Sequence, residues 1–390
     1  MIRLFFNPSV AHSLPDEAPT RQAMDFHKRL PAYAPTPLFS IPALAQRLGL
    51  GKIWVKDESN RYGLPSFKIL GAWWATYRML IHRFGRDLET WSSIEEFRKK
   101  LDPLRPLELV AATDGNHGRA VARIASLLKF SARIFVPGNT ATARIEAIRA
   151  EGAEVAVVSG SYEDALAQAV KAQGPRNFLL QDLAWPGYEE IPRWTMEGYS
   201  TIFWEADDQL KERGESGPDL VVAQIGGGSF AAAAVRHFRR PGLASPPRIV
   251  GIEPTCAAST LASLEAGRLV TIPGPHTSIM AGLNCGTVSS IAWPILKSGL
   301  DGLVSMGDER VGEAMRFLAQ AGLVAGETGA SGAACLLELL DGPQAAAARQ
   351  RLSIDRSSRV LLVSTEGATD PQGYKNLTGQ VAKKERGEKG

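Results

Sequence analysis

Short β-branched runs recur along the chain and alternate with helical patterns, and this alternation constrains the fold more than any other feature. The runs "KIWVKD", "LELVAAT", "ARIFVP", "AEVAVVS", "NFLLQD", "DLVVAQI", "RIVGIE" and "RVLLVST" are each bounded by Gly, Pro or a polar turn and read as buried strands. Between them lie segments such as "GRAVARIASLLK", where Val121, Ile124, Ala125 and Leu128 fall on one helical face. Strands that alternate with helices imply an α/β protein with a mostly parallel sheet. In such sheets ligands bind beyond the carboxyl ends of the strands, so the loops that follow the strands are where function is sought.

With 390 residues the chain has room for about two domains. Its 44 basic and 41 acidic residues nearly balance, and no basic patch interleaved with aromatics points to nucleic acid. No apolar stretch is long enough for a membrane span, and "MIRLFFNPSVAHSLPDEAP" lacks the pattern of a signal peptide. The three cysteines, Cys256, Cys285 and Cys335, are far apart and form no CxxC, which fits a reducing cytoplasm rather than a disulfide or zinc framework. GxSxG and HExxH are both absent. No metal site is expected.

Three turns carry chemistry. In "DLVVAQIGGGSFAAAAVRHFRR" a strand runs into Gly226, Gly227, Gly228 and Ser229 before a helix opens. Glycines let backbone approach a ligand closely, and a helix N-terminus offers free N–H groups to an anion. The run has neither GK[ST] nor GxGxxG, so it suits a single phosphate, or else is simply a tight turn. In "KDESNRYGLPSFKILGAWWATYRML" the spacing of Phe67, Leu70, Trp74, Tyr77 and Leu80 predicts a helix starting near Ser66 with Lys68 in its first turn. A lysine there is either a solvated surface group or, if desolvated, an amine ready to form an imine with an aldehyde. In "TDGNHGRA" the residues Thr113, Asp114, Gly115, Asn116 and His117 lie between a strand and a helix. Asp114 or Asn116 would cap that helix, or Asn116 would serve a phenolic oxygen. An imine-forming lysine, a turn for one phosphate and a polar turn for a ring together fit pyridoxal 5′-phosphate, an electron sink for carbanions at an amino acid's Cα.

These motifs resemble those of the fold-type II pyridoxal-phosphate enzymes, the tryptophan synthase β-like family. Within it they are most similar to the diaminopropionate ammonia-lyase branch. The likeness runs from about Tyr33 to Tyr374 and rests on "KDESNRYGLPSFKILG", "TDGNHGRAVA", "QDLAWPGYEEIPRWTMEGY", "IMAGLNCG" and "STEGATDPQGY". It implies a two-lobed α/β fold with the cofactor in the cleft, the large domain from residues 1–85 and 195–390 and the small one from 86–194. The resemblance also implies that Lys68 holds the cofactor, that Asn116 sits by its ring hydroxyl, and that Gly226, Gly227, Gly228 and Ser229 take its phosphate. Ser364 or Thr365 would face the ring nitrogen, and Asp114 and Asp182 would line the substrate site. The reaction implied is elimination of 2,3-diaminopropionate, as the D or L isomer, to pyruvate and two ammonia by a cytoplasmic homodimer. "LNCGTVS" and "EGATD" depart from the family pattern, which leaves open a dehydratase or β-replacement enzyme for another β-substituted amino acid, or a non-catalytic homologue. Two aspartates make chemical sense for a substrate bearing a second ammonium, because a buried charge without a partner is costly. His117 reads as support for the turn, and Glu327 in "GETGASGAACLLELL" as either a cap or a neighbour of the cofactor.

Overall fold

The computed structural model describes residues 2–113 and 115–382. Asp114 and the charged run at 383–390 therefore lie outside the described residues. In chain order the strands are β1 (Arg3–Phe6), β2 (Leu38–Ser40), β3 (Lys52–Asp57), β4 (Glu108–Ala112), β5 (Ser131–Pro137) and β6 (Glu154–Val158). They continue with β7 (Asn177–Leu179), β8 (Leu220–Gln224), β9 (Arg248–Pro254), β10 (Gly302–Met306) and β11 (Arg359–Ser364). Two sheets result. One has seven strands in the order β1-β10-β9-β8-β11-β3-β2, and the other has four in the order β6-β5-β4-β7. Among the described residues, only the edge strands β1 and β2 run antiparallel to their neighbours. The four-stranded sheet is wholly parallel.

Every run read from sequence as a strand forms one. β1, β2 and β10 are additional: the first two are short edge strands, and "GLVSM" of β10 is mixed in character although all five of its residues are buried. Strands buried on both faces need continuous apolar runs, and β8 (LVVAQ) meets that condition with every residue buried. Among the described residues, no helix is long and apolar enough to cross a membrane.

The helix Lys68–Phe84 begins at Lys68 itself, two residues later than the spacing predicts, because Ser66 is drawn into an antiparallel bridge with Glu366. From Ile69 to Tyr77 it is buried on all sides. It crosses the long helix Glu190–Glu212 where two glycines meet. A Cβ on Gly198 would stand 2.6 Å from the Leu70 carbonyl oxygen and 2.8 Å from Gly71 Cα. One on Gly71 would stand 2.5 Å from the Tyr199 ring. Neither residue has a positive φ, so the requirement is close backbone approach rather than conformation.

The loop leading to Lys68 is held from below by a buried charge network. Arg61 forks onto Glu58 at 2.6 Å and Glu205 at 2.8 Å, and Lys56 Nζ lies 2.7 Å from Glu205. Burial raises the Glu205 carboxyl, but Arg61 and Lys56 outweigh that and hold it below the usual carboxylate range. Thr36 Oγ1 donates to Glu58 and Tyr33 Oη to Glu205, so the remaining lone pairs are used.

Because Gly198 lets the two helices touch within one turn of Lys68, Gly198→Ala overpacks that crossing. It is expected to cost about 1–3 kcal/mol, read as a lowered Tm; an unchanged Tm contradicts the close-approach argument.

Candidate active site

The site lies where loops of the two sheets converge. Lys68, the first residue of its helix, extends Nζ to Asp182 Oδ2 at 2.6 Å. Asp182 follows β7 in the loop of the four-stranded sheet, so this contact joins the two sheets. The Lys68 ammonium also lies 5.5 Å from the Phe67 ring centroid and 6.0 Å from that of Tyr199. Burial alone would raise the Asp182 carboxyl; Lys68 and His117 together pull it well below the usual range.

Asp182 is fixed from two other directions. Its carbonyl accepts from Ser229 Oγ at 2.7 Å. The Ala184 N–H donates to Ser289 Oγ at 3.1 Å, while the Ser289 N–H donates to the Gly227 carbonyl at 2.9 Å. The glycine turn and the Asp182 loop therefore form one hydrogen-bonded unit.

The turn itself has no room for side chains. Added Cβ atoms would meet the Gly282 carbonyl oxygen from Gly226 and Leu183 Cδ1 from Gly227, each at 2.8 Å. Gly228 sits at φ +92°, which favours glycine. Ser229 then opens the helix Ser229–Phe238, whose first N–H groups have no intrahelical acceptor. Gly282 belongs to the "IMAGLNCG" segment, which packs over the turn and buries Met280 while leaving Ile279 exposed.

Asn116 is not a cap. Gly115 occupies the N-cap of the helix Asn116–Leu128 and makes no side-chain cap bond. Asn116 instead donates from Nδ2 to Glu366 Oε2 at 2.5 Å. Glu366 also accepts from the Thr328 N–H, and burial pushes its carboxyl above the usual range against the pull of these bonds. Sequence reasoning passed over Glu366, which stands in the polar run "STEGATD" and is only 3% exposed. The strand β11 ends at Ser364, which is fully buried, and Thr365 Oγ1 is buried with no hydrogen-bond partner among the described residues. Backbone bonds tie this end to the lysine loop: the Phe67 N–H donates to the Thr365 carbonyl and the Gly367 N–H to the Pro65 carbonyl. Glu327 opens the helix Glu327–Asp341 behind a Gly326 N-cap, so it is not a side-chain cap; burial raises its carboxyl, with Glu366 and Asp370 nearby.

The structure thus brings Lys68, Asp182, Asn116, the 226–229 turn and the Ser364–Thr365 strand end together where loops of the two sheets meet. Asp114 lies outside the described residues. Residues 29–366 match the model of the pyridoxal-phosphate dependent enzymes. The chain belongs to that family. The diaminopropionate ammonia-lyase of Salmonella typhimurium strain LT2 is 38% identical over 369 residues, which is 91% of each chain. The diaminopropionate ammonia-lyase of Escherichia coli K12 is 34% identical over 381 residues, 96% of this chain and 94% of that one. The crystal structure of the Escherichia coli enzyme with D-serine superposes with a TM-score of 0.89 at 31% identity, covering 97% of this chain and 96% of that one. A structure of the same enzyme with an aminoacrylate-PLP azomethine intermediate gives 0.87 at 32% identity, with the same coverage.

The residues present fit pyridoxal phosphate: a primary amine against aromatic faces, a side-chain-free turn at a helix N-terminus, and an unpartnered buried hydroxyl at a strand end.

Because Lys68 depresses the Asp182 carboxyl, their pairing stabilises the fold above about pH 4 and is lost as pH falls through the depressed value. In cofactor-free protein, the Tm difference between wild type and Lys68→Met is expected to be widest above pH 4 and to close on acidification. A difference independent of pH contradicts the pairing.

Proposed function

We propose that the chain catalyses the pyridoxal-phosphate-dependent α,β-elimination of 2,3-diaminopropionate, giving pyruvate and two molecules of ammonia. The observation that carries this reading is the 2.6 Å contact between Asp182 and the Lys68 ammonium. Asp182 already binds a primary ammonium; with the Lys68 amine committed to the cofactor, the carboxylate needs another, and a substrate amine on Cβ supplies it. A site for serine has only a hydroxyl to recognise and gains nothing from a carboxylate held so firmly ionised.

In this reading Lys68 anchors the cofactor, the backbone of Gly226 to Ser229 takes its phosphate, Asn116 meets the ring hydroxyl, and Ser364 or Thr365 meets the ring nitrogen. When bound, the cofactor supplies an electron sink that weakens the Cα–H bond. The chain's own groups do the rest. Lys68, freed as an amine when the substrate's α-amino group takes its place, removes the Cα proton from one face and Asp114 from the other, which accommodates both isomers. Asp182 orients the Cβ ammonium, which leaves as ammonia, and water then hydrolyses the released aminoacrylate to pyruvate and the second ammonia. Glu366, by gripping Asn116, fixes the amide that faces the ring hydroxyl.

We also infer a large lobe of residues 1–85 and 195–390 and a small lobe of 86–194, consistent with a four-stranded sheet drawn entirely from residues 108–179. Three free cysteines suit a cytoplasmic enzyme, and the family resemblance favours a homodimer.

The purified protein is expected to release two ammonia per pyruvate from D- or L-diaminopropionate, with serine and threonine turned over far more slowly. A preference for the hydroxy amino acids contradicts the reading. Asp114→Asn is expected to keep the visible absorbance of the bound cofactor and lose turnover of at least one isomer by a factor of about 100 or more; full activity on both isomers rules out Asp114 as a base.

A further inference from the structure

His117 is the part of the "TDGNHGRA" turn whose chemistry the elimination leaves unused. Its ring is buried, with 6% exposed, as the second residue of the helix Asn116–Leu128. Nε2 lies 2.7 Å from the Leu180 carbonyl oxygen. A carbonyl only accepts, so Nε2 carries a hydrogen. Nδ1 is buried without a hydrogen-bond partner among the described residues and stands 3.9 Å from Asp182 Oδ2. In a neutral ring with a hydrogen on Nε2, Nδ1 is a bare lone pair. It would then face a carboxylate oxygen, an acceptor opposite an acceptor at a buried nitrogen, which is unfavourable. One proton on Nδ1 turns the pair into an attractive contact.

Among the described residues, the other titratable groups around this contact leave the proton to these two. Lys68 Nζ binds the same Asp182 oxygen, Oδ2, from which His117 Nδ1 stands 3.9 Å, and Tyr188 and Tyr199 stand near Asp182, each kept protonated by burial. Tyr188 Oη is occupied, donating to the Leu179 carbonyl and accepting from the Gln181 N–H. On the His117 helix, Arg119 and Arg123 are both engaged by Glu151.

We propose that His117 is the positioning partner of Asp182: protonated on Nδ1, it keeps the carboxylate ionised and weakly basic, so that the ammonium on the substrate's Cβ keeps its proton. The inference rests on the reading of the site as an elimination centre. Its proton balance decides why this matters. The C–N electron pair departs with a nitrogen that already holds three hydrogens, and neutral ammonia leaves. If Asp182 instead took a proton from that nitrogen, the group left on Cβ would be a neutral amine, which departs only as an amide anion. A cation behind the carboxylate disfavours that transfer. His117 neither gives nor takes a proton in the net step.

The test is His117→Gln in the full-length holoenzyme, beside His117→Phe. A glutamine amide nitrogen reaches toward Leu180 as Nε2 does but does not titrate. We expect His117→Gln to retain the bound cofactor's absorbance, Tm and KM for diaminopropionate, and to lose kcat by about tenfold or more. His117→Phe is expected to lose Tm as well. In histidine-¹⁵N-labelled holoenzyme without substrate, the signals that disappear in His117→Gln are expected to show hydrogens on both ring nitrogens, and Asp182→Asn to convert Nδ1 to the bare form. Wild-type kcat in His117→Gln, or a bare Nδ1 with Asp182 intact, overturns the proposal. Because the nitrogen signals are read without substrate, they judge His117 even where the elimination assay fails.

Discussion

The contact between Lys68 and Asp182 is the constraint on which the site depends. One partner follows the loop after β3 of the seven-stranded sheet, and the other lies in the loop after β7 of the four-stranded sheet, 114 residues further along the chain. An ammonium and a carboxylate held at 2.6 Å in a partly dehydrated cleft set the local charge pattern. Everything that converges there is arranged to keep both groups in place: the Ser229 hydroxyl on the Asp182 carbonyl, the backbone stitches between the lysine loop and the end of β11, and the buried Arg61 network below. A buried ion network of this kind contributes little net stability, since desolvation offsets the attraction. Its value here is positional.

The same logic explains the two glycine features. At the crossing of the helices Lys68–Phe84 and Glu190–Glu212, Gly71 and Gly198 let backbones meet so that the lysine is anchored on a rigid element. At the 226–229 turn, missing side chains leave backbone N–H groups open to an anion. One glycine pair positions the amine; the other glycine run, on the proposed reading, holds the cofactor's phosphate. Both serve preorganisation, which lowers the cost of binding by fixing groups before the ligand arrives.

Much of this was legible in the sequence. Strands buried on both faces must be apolar throughout, so β3, β8 and β11 declare themselves, whereas β1 and β2 are short antiparallel edges with no periodicity to read. The Gly-rich turn and Lys68 were visible because their residue types are chemically unusual in those places. Their pairing with Asp182 was not, because no local pattern connects residues 114 apart; family resemblance alone linked them. Charged residues read as exposed by default, which hides Glu366 and the fully buried Lys56 and Glu58. Asn116 could be read from its type as a cap or as a partner for a ring oxygen, and its tertiary contact with Glu366, with Gly115 at the N-cap, decides against the cap.

On the proposed reading, a carboxylate held ionised by its neighbours selects a substrate for the ammonium on its Cβ. The most direct test of that selection is the ratio of kcat/KM for diaminopropionate to that for serine, measured in wild type and in Asp182→Asn. The ratio is expected to collapse, with diaminopropionate losing far more than serine. Equal losses on both substrates would contradict charge selection and leave Asp182 with a role in the architecture of the site alone.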